Sequence, residues 1–231
     1  MRNAFWFHGD SASKRTLDMH WLDPDHLPHV TAEVERFLLN PHGDVDGMIL
    51  TNGIEVHSPP HLSDEIRAKI RPGASVTVYG VRPRSADMIA AVAIATANGK
   101  RIVDNGPPKD HEKSWKDVRD EAAKARHRKV EAAGSFLRAL HGPKGEIRGC
   151  LLDTGTIVRF PAHEARSIAD LLSPGAPLVV RGNGLMTELG TVIEAKEIGA
   201  SEDSLRFIDP KKPKDDKPSK HGAKHNGRLH G

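Results

Sequence analysis

The chain has 231 residues, with 34 Lys and Arg against 31 Asp and Glu, a single cysteine, and aromatic side chains at only 4%. One cysteine, Cys150, excludes an internal disulfide framework, and the longest mostly apolar run, residues 88–97, falls far short of the roughly 20 residues a membrane-crossing helix needs. No basic start leads into a cleavable apolar run at the N-terminus, so the expectation is a cytoplasmic protein with no membrane partner.

A pI of about 9.0 suggests an anionic partner, so the location of the charge matters. Residues 1–100 carry 10 Lys and Arg against 12 Asp and Glu, residues 101–133 carry 9 against 7, residues 134–200 carry 7 against 7, and residues 201–231 carry 8 against 5. The basic excess therefore sits in a connecting segment and a tail.

In chain order, residues 1–30 are an N-terminal aromatic segment with two apolar clusters, Phe5-Trp6-Phe7 and Met19-His20-Trp21-Leu22. Clustered aromatics bury a large area wherever they find a surface. Two readings stay open: an extended cap on the domain that follows, or an arm that docks on a protein partner.

Residues 31–98 read as a first domain. A strand over 34–39 ends at the turn signature Asn40-Pro41-His42-Gly43. Residues 45–50 alternate, Asn52-Gly53 turns the chain, and residues 54–57 return as the other arm of a hairpin. Pro59-Pro60 stops that strand. Leu62, Ile66 and Ile70 then fall at i, i+4 and i+8, a short amphipathic helix over 61–70 with Ser63 as its cap. After Pro72-Gly73, residues 75–81 and 88–95 supply two more strands. The order is βββαββ.

Residues 99–129 are a linker. Its first part is rich in Gly, Pro and charge, and residues 114–133 are good helix formers with Trp115, Val118 and Ala122 at near-helical spacing, so a helix is expected there. Residues 130–200 then repeat the first domain at a constant shift of 102 positions. The pairs Gly43/Gly145, Gly47/Gly149, Gly53/Gly155, Pro59/Pro161, His61/His163, Pro72/Pro174, Gly73/Gly175 and Gly80/Gly182 all recur. Most are residues that set backbone geometry, so what is duplicated is chiefly a fold. The same element order is expected, with a helix over 163–172 and a bulge or loop change after Gly182. Residues 201–231 hold almost no apolar side chains and are expected to form a disordered basic tail.

Five strands with one helix between the third and fourth, carried by GDVDGMILTNGIEVHSPPH and IRPGASVTVYG and again by GEIRGCLLDTGTIVRFPAH and LSPGAPLVVRG, resemble the OB-fold, a small Greek-key barrel. The chain is similar to bacterial proteins containing OB-fold nucleic-acid-binding-like domains. The resemblance implies a mainly β protein with two OB-fold-like five-stranded Greek-key barrels in tandem. It also implies oligonucleotide binding on the face of the second and third strands and on the flanking loops.

Alternation puts Val45, Ile49, Val56, Val76 and Val78 inside the first barrel and Asp46, Met48, Glu55, His57, Thr77 and Tyr79 outside. In the second copy the outward set becomes Arg148, Cys150, Ile157, Arg159, Val179 and Arg181. Asp46 to Arg148, His57 to Arg159 and Tyr79 to Arg181 all exchange toward positive charge. The candidate nucleic-acid contacts are therefore Arg148, Arg159 and Arg181 with Lys144 beside them, Arg82 and Arg84 in the loop after the fourth strand, and Tyr79 and His57 as bases for stacking. With so few aromatics, contact to RNA or DNA would be weak, salt-sensitive and directed at the backbone. The alternative readings are that these arginines pair with neighbouring acids, and that the chain is a protein-interaction module.

Neither a metal nor a cofactor is expected: of the 14 histidines, His57 and His61 are four apart but separated by two prolines that forbid the helix needed to align them. The chain carries no phosphate-cradling glycine loop and no nucleophile elbow, so a non-enzymatic protein is expected. Cys150 reads as a small apolar strand residue.

Overall fold

A computed structural model describes residues 23–107, 121–122 and 125–211. The N-terminal aromatic clusters, most of the linker and residues 212–231 lie outside the described residues, together with what the sequence suggests for them.

The first domain is a closed five-stranded barrel. Strands β1 (His29–Leu39), β2 (Val45–Leu50), β3 (Glu55–His57), β4 (Ser75–Val81) and β5 (Met88–Thr96) close in the ring order β1-β2-β3-β5-β4, with β3 and β5 parallel and all other neighbours antiparallel. This is the OB order. Gly53, at φ +84°, turns β2 into β3, as Asn-Gly predicts. Between β3 and β4 lies one short helix, α1 (Ser63–Lys69), which plugs the barrel with the buried Leu62, Ile66 and Ile70. Ser63 does not cap it: its Oγ is turned inward and accepts from Val45 N at 2.9 Å, pinning the helix to β2.

Strand β6 (Arg101–Val103) extends the first sheet along β5, inside the stretch that sequence assigns to the linker. Ile102 is fully buried, and burial of that side chain overrides the Gly and Pro around it. The second barrel repeats the ring with β7 (Arg128–His141), β8 (Ile147–Leu152), β9 (Ile157–Arg159), β10 (Pro177–Thr187) and β11 (Gly190–Gly199). Residues 121–122 and 125–126 are helical, but the strand begins at Arg128, where the pattern of good helix formers suggests helix to 133. Pairing with β10 from Arg128 to Ser135 decides it.

One difference from the first copy follows from side chains. In place of an α-helix over 163–172, the second barrel has two 3-10 segments, Ala162–Arg166 and Ala169–Leu171. The Ser167 hydroxyl donates to Glu164 O at 2.8 Å, and Arg206 donates to Ser167 O at 2.8 Å, occupying carbonyls that an α-helix would use. As β6 does on the first barrel, the chain after β11 stays on the second, through residue 211. Strand β12 (Arg206–Phe207) pairs with β11, Arg206 pairs with Asp170, and Ile208 enters the core. The bulge expected after Gly182 lies between Arg181 and Gly182, but its twin lies between Tyr79 and Gly80, so it belongs to both copies.

The phase of β2 and β8 is the reverse of the alternation reading. Met48 is fully buried, and its partner in the duplication, Cys150, lies with Leu152 and Val158 in the core of the second barrel. Ile49 and Leu151, each 1% exposed, instead belong to one cluster that joins the first barrel's core to Leu140, Leu151, Ile157, Leu185 and Val192 of the second. The barrels therefore pack on each other through the outer sides of their second and third strands.

Candidate functional site

The contacts between the barrels obey the same shift of 102 as the sequence. Arg138 donates to Gly53 O at 2.9 Å, and its counterpart Arg36 lies against Gly155. Leu185 closes so tightly over Gly43 that a Cβ there would stand 2.6 Å from Leu185 Cδ2, and Pro83, its counterpart, closes over Gly145. A residue i meets j, and i+102 meets j−102. That is an isologous interface within one chain, with a pseudo-two-fold axis between the barrels.

Where the duplicated residues differ, the symmetry breaks in charge. The β1–β2 pair carries a bulge at Asp46 and the β7–β8 pair one at Arg148, so that one extra residue of each is re-aimed. Asp46 turns toward the second barrel and accepts from Arg159 Nη2 at 2.6 Å, while Arg159 Nε donates to Leu39 O at 3.0 Å. Arg159 is 8% exposed. Its chain crosses β8 above Gly149, where a Cβ would lie 3.2 Å from Arg159 Cδ. Burial pushes the Asp46 carboxyl up from the ordinary range, and the guanidinium opposes that rise. A second contact across the interface joins the buried Glu55, 1% exposed, to His141: the backbone amide donates to Oε1 at 2.7 Å, and Nδ1 lies 2.8 Å from Oε2.

The candidate residues therefore separate. Arg159 is withdrawn into the interface. Arg181 lies on β10, paired with Glu131 and, at 3.3 Å, with Glu202. Tyr79, at the matching position of β4, is covered by the Arg101 guanidinium 4.8 Å from its ring centre and by His29, with Arg101 held by Asp25. The other five fall along one seam. Ser85 Oγ reaches the carbonyls of Lys144 and Gly145 at 3.5 Å, which brings the β4–β5 loop of the first barrel, with Arg82 and Arg84, against the β7–β8 loop of the second. At the base of that second loop the exposed Arg148 leans over Gly142, which has no Cβ to obstruct it. His57 shares with Arg148 a cleft of about 560 Å³ between the barrels.

Arg82, Arg84, Lys144 and Arg148 are exposed, and among the described residues their charged groups form no ion pair. Glu146 stands beside Arg148, with one carboxylate oxygen accepting the Lys144 amide at 3.0 Å. The symmetry-related seam lacks this set of cations: the equivalent positions are Gly184, Met186, His42 and Asp46, and the nearby Glu188 pairs with Arg67 at 2.9 Å. Sequence reasoning finds the cations but misses their grouping, because the residues brought together are about sixty positions apart.

His61 Nε2 lies 3.0 Å from Asp104 Oδ1 without the alignment of a hydrogen bond, and His163 Nε2 lies 3.0 Å from Asp209 O, so both histidines face the segment beyond their barrel's fifth strand. Among the described residues no group of three or more His, Cys, Asp or Glu side chains is placed to hold a metal ion, and no helix is long and apolar enough to cross a membrane.

No protein-family model and no curated protein matches the chain. Among solved structures, the chain is similar to the wild-type single-stranded DNA binding protein from Thermus aquaticus, at 14% identity over 80% of this chain and 94% of that one, with a TM-score of 0.23. A deletion mutant of the same Thermus aquaticus protein matches at 14% identity, over 80% and 96% of the two chains, with a TM-score of 0.24. The fold assignment rests on the strand order of the two barrels.

Proposed function

We propose that this protein binds nucleic acid, single-stranded or structured RNA or DNA, through the phosphate backbone and with low sequence specificity, and that it does so without catalysis. The observation that supports this is the seam where the loop that carries the exposed Arg82 and Arg84 of one barrel meets, through Ser85, the loop of the other barrel that carries the exposed Lys144, with Arg148 at its base. In OB barrels the loops between the first and second strands and between the fourth and fifth are those that hold oligonucleotides, and here one of each kind converges. The faces of the second and third strands are covered by the other barrel, so backbone contact replaces stacking on a sheet.

The test is fluorescence anisotropy of single-stranded DNA, RNA and duplex probes across a range of salt. Each phosphate neutralised on a single strand contributes a slope of about 0.7 in log K against log salt, so replacing Arg82, Arg84, Lys144 and Arg148 together by Ala should flatten the slope by about 3. No retention of any probe at low salt, or a slope unchanged in the quadruple variant, overturns the reading. The first of these outcomes, with a nuclease-insensitive pull-down, would favour a protein-interaction module.

A further inference from the structure

The pseudo-two-fold axis makes the inter-barrel cleft two half-sites with different contents. In one half, position 46 meets position 159 as an acid and a guanidinium, and the pair is closed at 2.6 Å. In the other half the equivalent positions are 148 and 57, an arginine and a histidine. Two groups that both favour an anion stand where the first half holds a completed ion pair. Of the acids nearby, Asp46 pairs with Arg159, Glu55 with His141 and Glu194 with Lys196 at 3.2 Å, and Glu146, beside Arg148, accepts the Lys144 amide at 3.0 Å.

We infer that the half-site between Arg148 and His57 binds a phosphate monoester. A monoester carries a charge of about −1.5 to −2 near neutral pH, because its second pKa is about 6. It therefore matches a guanidinium together with an imidazolium, whereas a phosphodiester carries a single charge. The cleft, about 560 Å³, is within the roughly 300 to 1,000 Å³ of small-molecule sites, so it admits the group attached to the phosphate. Arg148 is carried on the bulge of β8, whose backbone is fixed by Phe160 N donating to Arg148 O at 3.1 Å. Its symmetry twin, the Asp46 bulge, is fixed in the same way by Ser58 N at 2.9 Å.

His57 faces Asp46 of β2, Glu55 of its own strand, Arg148 of β8 and Arg159 of β9. Burial lowers its pKa first; Asp46 and Glu55 oppose that, and Arg159 and Arg148 add to it. The site without its anion therefore holds a neutral imidazole at neutral pH, and an anion draws a proton onto it. Binding tightens as pH falls toward 6. The monoester can be a nucleotide or the terminal phosphate of a nucleic-acid chain, and inorganic phosphate, which bears the same group without the ester, is the minimal probe. Only the chain terminus rests on the function proposed above.

The experiment follows the His57 ring by NMR while inorganic phosphate is added at constant ionic strength, with chloride as control. A saturable shift and a raised His57 titration midpoint are expected. Because a hydrogen bond to a charged group is lost, Arg148→Ala should weaken phosphate about 10- to 100-fold, and Arg181→Ala, which removes an arginine already paired with Glu131 and Glu202, should leave it unchanged. His57→Gln should remove the pH dependence of binding. A second arm compares 5′-phosphorylated with 5′-hydroxyl oligonucleotides, where a preference for the phosphorylated end that needs Arg148 identifies the chain terminus as the source. A shift that does not saturate, or that is equal in Arg148→Ala, overturns the site. Phosphate binding without oligonucleotide binding leaves the site standing and removes the nucleic-acid reading; oligonucleotide binding indifferent to the 5′ group, with no phosphate response, does the reverse.

Discussion

Replacing Arg159 by Ala tests whether the barrels form one body in solution. The change removes two interactions at once, the 2.6 Å contact to Asp46 and the 3.0 Å bond to Leu39 O. It leaves a carboxylate whose side chain is 12% exposed with no counter-charge. Breaking a buried pair from one side costs about 3 to 5 kcal/mol. At about 2 to 4 °C per kcal/mol for a chain of this size, melting should fall by roughly 6 to 20 °C. Without Arg159, burial and Glu55 hold the Asp46 pKa still further above its unfolded value. The folded variant then keeps a proton that the unfolded chain releases above about pH 4, so its stability falls as pH rises from there. The deficit against wild type must therefore widen as pH rises. Urea unfolding followed by circular dichroism at several pH values measures it, and the double replacement Asp46→Leu, Arg159→Met should recover most of the loss because apolar pairs of similar volume replace buried ion pairs well. A loss in Arg159→Ala below about 1 kcal/mol, the range of surface pairs, with no pH trend, would refute the packing of one barrel on the other.

Further outcomes follow from single positions. Arg181→Ala removes only exposed pairs with Glu131 and Glu202 and should leave the melting temperature within experimental scatter, in contrast to Arg159→Ala. Gly53→Ala strains a residue at φ +84° in open space and should cost about 1 to 2 kcal/mol. Gly80→Ala drives a Cβ to 2.0 Å from the Ala90 carbonyl oxygen at the bulge and should cost about 3 kcal/mol or more; equal losses in denaturant melts would contradict the bulge geometry. Cys150, buried in the second core with its thiol pushed up to about 12 by desolvation, should resist a disulfide reagent until the protein unfolds. Rapid stoichiometric labelling of the native chain would place it elsewhere.

Much of the candidate site was visible in the sequence as residues and little of it as an arrangement. The exchange of Asp46 for Arg148 and of His57 for Arg159 is plain once the copies are aligned, but each exchange has a different consequence. Arg159 meets an acid in the other barrel, and Arg148 shares a cleft with a histidine. Alternation also misplaces Met48 and Ile49, because the bulge at Asp46 lies between the turn and the strand and shifts the phase by one.

The sequence by itself determined the duplicated barrel. Asn52-Gly53, the paired glycines and prolines, and the period-two runs are local signals acting over a few residues, and they recur at one constant spacing. Only the tertiary structure decided which faces remain open, since the closure of one barrel on the other depends on side chains about a hundred positions apart. The free energy of that closure comes from burial of Ile49, Leu151 and Ile157 and from ion pairs whose partners no short stretch of sequence contains.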